Sequence, residues 1–153
     1  MLLQRLNKND LPEIIAFNRR CFSPGDRWSG EDWTELLEDE RAHYYALLEN
    51  GQIIGNLFLY NWQGERDFLK IMNLGIHPDH RGRRLACRLL QKAAEELKAS
   101  MLTRCCGETR ESNLAMRRVF ERCGYRLNKI EENYYENPTE SACKYVLRRE
   151  ELE

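Results

Sequence analysis

The chain has 153 residues, 24 Lys plus Arg against 25 Asp plus Glu, and a formal net charge of −1. That length suits one domain spanning residues 1–153 and buries about two-thirds of the surface exposed by the unfolded chain. The near-neutral balance argues against a protein that coats nucleic acid or a membrane, so any basic site must be local.

The Met1 end, MLLQRLNKND, is too short and polar for a signal peptide. No apolar run approaches the ~20 residues of a membrane span, and the expected location is cytoplasmic. The six cysteines, Cys21, Cys87, Cys105, Cys106, Cys123 and Cys143, form no C-x-x-C pair, and no histidine lies at finger-like spacing. Neither a metal site nor a disulfide framework is expected. Adjacent Cys105 and Cys106 read as small core residues.

In chain order, LLQRL is a short strand. Asp10 with Glu13 forms a capping-box pattern for a helix through about Phe22. Ser29 and Asp32 repeat the pattern. Trp28 and Trp33 flank that cap at the staple positions, which predicts a helix through GEDWTELLEDE. YYALLE and IIGNLFLYNW are strand-like runs joined by Asn50-Gly51, a hairpin signal. QGER turns the chain into DFLKIMNLGIHP, another strand.

The stretch HPDHRGRRLACRLL places four arginines at the start of a helix. Leu85/Ala86, Leu89/Leu90, Ala93/Ala94 and Leu97 recur every four residues behind it. MLTRCCGET is a strand candidate. Met116, Val119, Phe120 and Cys123 mark a further helix, capped by Ser112 or Asn113 and stopped by Gly124. YRLNKIEENYY and ACKYVLR are closing strands around a loop with Pro138. The expected order is β-α-α-β-β-β-α-β-α-β-β, a mixed α/β domain.

A strand, a Gly-containing turn and a helix place unpaired N–H groups and the positive end of a dipole together, which is a ready anion site. Arg81, Arg83 and Arg84 add charge suited to phosphate. A solvated basic turn with no ligand is the alternative. His77 and His80 read as turn residues, since no motif sets a Ser or Cys nucleophile beside them.

IHPDHRGRRLACRLL resembles the acyl-CoA-binding motif of the GNAT superfamily of N-acetyltransferases, R/Q-x-x-G-x-G/A, with Arg81 first and Ala86 last. GETRESNLAMRRVFERCGY and ENYYENPTESACKYVL resemble the second half of the bacterial ribosomal-protein alanine N-acetyltransferases and their archaeal and eukaryotic relatives. RCFSPGDRWSGEDW is similar to their first helix-loop segment. The resemblance covers nearly the whole chain. It implies a single-domain GNAT fold, a mixed and mostly antiparallel sheet with flanking helices.

It further implies acetyl-CoA as donor. Leu74, Gly75 and Ile76 fall where the fourth strand splays and offers backbone groups to the thioester and pantetheine. Arg81, Gly82, Arg83, Arg84, Leu85 and Ala86 fall on the pyrophosphate loop, and Asn113 falls at a pantetheine contact. Glu108 aligns with the general base, and Tyr134 and Tyr135 with the loop that covers the peptide N-terminus. Two positions depart. Arg84 replaces the motif's middle Gly, and an arginine in ordinary helical conformation is expected to present its N–H there. Phe120 replaces the Tyr that protonates the departing thiolate, and Phe has no proton to give; either Tyr134, Tyr135 or water takes that catalytic role or the activity is weak, and Phe120 reads as a packing residue whose ring also flanks the cofactor thiol.

The expected activity is acetyl transfer by direct attack of a protein N-terminal α-amine, with a small ribosomal protein as the acceptor. A lysine or small-molecule amine acceptor stays open, as does a weakly catalytic acyl-CoA-binding module. No nucleic acid or membrane partner is expected, and the protein is a monomer or homodimer. On their own residues, a surface ion pair with Arg110 is the alternative reading of Glu108, and strand packing that of Tyr134 and Tyr135.

Overall fold

The computed structural model describes residues 1–152; Glu153, the last residue of the expected domain span, lies outside the described residues. The elements are β1 (Leu2–Leu6), α1 (Leu11–Cys21), α2 (Gly30–Glu38), β2 (Ala42–Glu49), β3 (Gln52–Asn61), β4 (Phe68–Ile76), α3 (Leu85–Ala99), β5 (Arg104–Arg110), α4 (Leu114–Arg122), β6 (Arg126–Tyr135) and β7 (Glu140–Arg148). This is the order expected from the sequence. The strands form one seven-stranded sheet in the order β1-β2-β3-β4-β5-β7-β6. β1 with β2, β2 with β3, β5 with β7 and β6 with β7 pair antiparallel, whereas β4 and β5 pair parallel. Parallel neighbours need a crossover, and α3 supplies it. The contact pattern divides the chain into two compact units, Met1–Asn61 with Met72–Leu89, and Trp62–Ile71 with the chain from Leu90 onward.

In the first unit, Ser29 caps α2 as its spacing predicts. Its hydroxyl accepts from the Asp32 N–H (3.1 Å), and the Asp32 carboxylate accepts from the Ser29 N–H (3.2 Å). Trp28 and Trp33 close the staple with ring centroids 4.7 Å apart. Trp33 is fully buried against Tyr44 and Phe58, with centroids 5.8 and 5.2 Å away. Such aromatic pairs add about 0.5–1.5 kcal/mol each beyond area burial. With Leu6, Ile14, Ala42 and Ala46 they form the core of this unit.

The Asp10–Glu13 capping box does not form. Asn7 is the capping residue instead, opening a 3-10 turn over Lys8–Asp10, and the Asp10 carboxylate reaches back to the Asn7 N–H at 3.1 Å. Two short helical segments share one entry, and the polar cap belongs to the first. Asn50 (φ +53°) and Gly51 (φ +77°) both lie in the left-handed region, which is the hairpin turn their identity predicts. The far end of α1 is closed by Arg27, whose guanidinium donates to the carbonyls of Phe22 and Arg19, both at 2.7 Å. A cation on those orphan carbonyls also complements the helix dipole.

In the second unit, α4 begins at Asn113, whose side-chain oxygen accepts from the Met116 N–H (3.1 Å). It ends in a Schellman motif: the N–H of left-handed Gly124 (φ +91°) bonds to Glu121 and that of Tyr125 to Phe120. This turn swings Tyr125 under the helix, where its ring lies 5.1 Å from Phe120. Of the adjacent cysteines expected in the core, Cys105 is buried and accepts from the Tyr125 hydroxyl (3.3 Å). Cys106 is half-buried on the opposite face of β5. Burial holds both thiols protonated, pushing Cys105 up to about 12.

Candidate active site

The first unit carries the basic turn. β4 ends at Ile76, Pro78–His80 forms one 3-10 turn, and α3 starts at Leu85. Between them Gly82 (φ +83°) and Arg84 (φ +59°) both adopt left-handed backbone. Arg84 is therefore not in the ordinary helical conformation expected for it. The position demands a left-handed turn, and here a side chain is carried at an intrinsic cost of about 1–2 kcal/mol. The Arg81 Nε donates to the Ile76 carbonyl (3.2 Å), tying the loop to the strand end. Arg83 donates from Nη1 and Nη2 to one Glu49 carboxylate oxygen, each at 3.3 Å, and its Nη1 lies 2.8 Å from the His80 Nδ1. Its charge is thus committed to the hairpin, whereas Arg84 has no carboxylate partner among the described residues.

Leu85 and Ala86 begin α3, where first-turn N–H groups have no intrahelical acceptor. A Cβ placed on Gly82 would meet nothing within 4 Å, so the turn is open to solvent. An exposed left-handed turn, first-turn N–H groups and an uncommitted guanidinium fit an anionic pyrophosphate such as that of acetyl-CoA.

β4 supplies a second element. Its ladder to β5 runs over Phe68↔Arg104, Leu69↔Cys105 and Lys70↔Cys106, and Leu74, Gly75 and Ile76 close the strand. The Gly75 α-carbon is covered by the Phe22 ring, 2.9 Å from where a Cβ would sit, and by the Asn56 Oδ1 at 3.2 Å. The Asn56 amide donates to Asn73 (2.7 Å), while its own oxygen is buried without a partner.

In the second unit, Glu108 does not pair with Arg110. Arg110 donates to the carbonyls of Pro138 and Glu136, both at 2.8 Å, and to Glu140 at 3.3 Å, and lies over the Tyr135 ring at 4.7 Å. Strand alternation puts Glu108 and Arg110 on one face, but Arg110 reaches to the β6–β7 turn. The partner of Glu108 is Lys70, whose Nζ bonds to Oε1. The other oxygen, Oε2, is buried with no hydrogen-bond partner. Lys144 stands opposite Glu108 across the ladder, bridges to Glu131 at 3.3 Å and lies 4.5 Å from the Tyr134 ring.

The Tyr134 hydroxyl is pushed well above the ordinary tyrosine value, first by desolvation and then by the Glu108 carboxylate, so it stays protonated. The ring is 40% exposed and meets Tyr135 edge-on at 5.1 Å. Asn113, expected to contact pantetheine, spends its side-chain oxygen on the α4 cap.

Phe120 projects toward the face of β5 opposite Glu108. It is 1% exposed, stacks on Tyr145 with centroids 5.0 Å apart and rings 16° from parallel, and covers Gly107. Lys70 is the residue that sequence reasoning passed over. Its signal was a lone cation inside the apolar run FLKIMNL, but the partner depends on strand register.

The chain's fold is similar to several solved structures. The ribosomal-protein-S18-alanine N-acetyltransferase from Escherichia coli aligns at 23% identity over 96% of this chain and 92% of that chain, with a TM-score of 0.85. A mutant spermidine N-acetyltransferase SpeG from Vibrio cholerae aligns at 15% identity over 99% and 97%, with a TM-score of 0.81. NAA60 from Arabidopsis thaliana, in complex with acetyl-CoA, aligns at 13% identity over 96% and 97%, with a TM-score of 0.82. No curated protein sequence matches significantly. The family model of the acetyltransferase (GNAT) family matches residues 11–125, most of the chain. With that match, the seven-stranded mixed sheet and the open basic turn, the chain belongs to the GNAT family of acetyltransferases, acetyl-CoA-dependent enzymes.

Proposed function

We propose that the chain transfers acetyl to a protein N-terminal α-amine by direct attack, working in the cytoplasm as one catalytic domain over its 153 residues. The observation that carries this reading is the buried Oε2 of Glu108, a carboxylate oxygen that makes no hydrogen bond, although the protonated Tyr134 hydroxyl bears on the same carboxylate. Leaving such an oxygen unsatisfied is costly, and an amine N–H, direct or through one water, would satisfy it. Acetyl-CoA brings the acetyl group as a thioester, with a thiolate to leave. The backbone from Gly82 to Ala86 and the Arg84 guanidinium would hold its pyrophosphate, and the backbone of Leu74, Gly75 and Ile76 its pantetheine.

Glu108 takes the acceptor's proton at Oε2. N–H groups of β4 bind the negative charge that develops as the amine attacks. An α-amine has a pKa of roughly 8 against about 10.4 for lysine. An appreciable share is neutral at pH 7, so a carboxylate is base enough. Phe120 gives no proton, and thiolates are stable enough near neutrality to leave with solvent's help. The tyrosines suit contact with the peptide: Tyr134 is partly exposed and keeps its proton, and Tyr135 is braced by Arg110.

The similar structures named for a ribosomal-protein alanine acceptor and for spermidine leave two acceptor classes in view. Acetyl-CoA turnover on N-terminal peptides, amine-blocked lysine peptides and polyamines separates them. The proposal expects the N-terminal peptides to give the highest kcat/KM, with Ala-initiated ribosomal-protein sequences foremost. Preference for spermidine would replace it with the small-amine reading. CoA binding without turnover on any acceptor would make the protein a binding module.

A further inference from the structure

Lys70 is the third residue of β4, between two buried apolar neighbours, Leu69 and Ile71. Strand alternation turns those two to one face and Lys70 to the other. The parallel register Lys70↔Cys106 places Glu108 one alternation ahead on the same face, within reach of the lysine ammonium. The pair is partly withdrawn from water, with side-chain exposures of 25% for Lys70 and 12% for Glu108. The other charged groups around Glu108 are committed elsewhere. Lys144 from β7 is taken by Glu131 and the Tyr134 ring, Glu131 from β6 is shared with Lys129, and Arg110 on β5 is taken by the β6–β7 turn. Tyr134 from β6 keeps its proton and bears on the Glu108 carboxylate, and Cys106 on β5 is a thiol.

We propose that Lys70 is a positioning residue for the reaction: its ammonium engages one carboxylate oxygen of Glu108 and fixes the side chain so that the other oxygen is left for the acceptor amine. This rests on the reading of Glu108 as the base. A base must be held in place to act, and misplacement by about 1 Å can cost about 100-fold in rate.

The test is kcat and the KM values for acetyl-CoA and an N-terminal peptide, measured for wild type, Lys70→Met, Lys70→Gln, Lys70→Arg and Glu108→Gln, with melting temperatures alongside. Without its anchor the Glu108 side chain is released, so kcat should fall by about 10- to 100-fold in Lys70→Met and Lys70→Gln, with the KM for acetyl-CoA unchanged. Lys70→Arg keeps a cation on the carboxylate and should keep most of the wild-type kcat. Purely structural loss would lower the melting temperature and disturb the acetyl-CoA KM as well.

A wild-type kcat in both neutral variants, with Glu108→Gln losing most of its rate, overturns the role of Lys70 and leaves the base standing. A Lys70→Arg kcat as low as that of Lys70→Met overturns the anchoring argument. A Glu108→Gln protein that keeps its rate removes the base and this proposal with it.

Discussion

Replacing Phe120 with Tyr adds one hydroxyl at Cζ. That carbon and Cε1 lie 2.7 Å from where a Cβ on Gly107 would sit, so the ring end already rests on the β5 backbone. The ring is otherwise held by Tyr145 and Tyr125, with centroids at 5.0 and 5.1 Å. The added oxygen is driven into atoms already in contact. Overpacking a tight core and burying an unpartnered hydroxyl each cost about 1–3 kcal/mol. Both act on the same atom here, so the total is taken as about 1–3 kcal/mol. For a chain of this size each kcal/mol moves the melting temperature by about 2–4 °C. Phe120→Tyr should therefore melt about 2–12 °C lower, with turnover unchanged or reduced. Melting temperature and turnover from pH 6 to 10 should be measured on the same preparation. Unchanged melting with faster turnover, most pronounced at high pH, would refute the packing argument. It would show that the position can deliver a proton to the leaving thiolate.

Three further outcomes follow from single contacts. Arg84→Gly relieves a left-handed side chain, a gain of about 1–2 kcal/mol, partly offset by about 0.4–1 kcal/mol of added freedom in the unfolded chain. Its melting temperature should hold or rise, and calorimetry should find CoA affinity lowered by less than tenfold. Gly82→Pro cannot reach φ +83° and deletes an N–H; CoA affinity should fall at least about tenfold, or 1.4 kcal/mol, by the same calorimetry. Ser29→Ala removes the α2 cap and should lower stability by about 1 kcal/mol in a denaturant titration, with CoA affinity unchanged.

Local chemistry was the legible part of the sequence. Asn50-Gly51, the Ser29–Asp32 box, the Trp28–Trp33 staple and the stop at Gly124 are short-range signals, and each acts within a few residues of where it is written. The Asp10 misreading has the same cause, because Asn7 and Asp10 both carry cap chemistry and only geometry chooses between them. Arg84 was misjudged because its left-handed conformation is imposed by the turn, whereas an arginine itself prefers otherwise. The surroundings of Glu108 were not legible. Arg110 is near in sequence and on the same face, yet it turns to the β6–β7 turn, and Lys70 arrives from 38 positions away through parallel register. The burial of Phe120 likewise depends on Gly107, which offers no side chain and so admits the ring.

The measurement closest to the centre of the account is the turnover of Glu108→Gln on the best N-terminal peptide, with CoA affinity determined alongside. The substitution keeps the shape of the side chain and removes its basicity. The account predicts kcat lower by about 100-fold or more with CoA affinity little changed, since Glu108 has no part in holding the cofactor. Near-normal turnover would contradict it and assign the amine proton to water or another group.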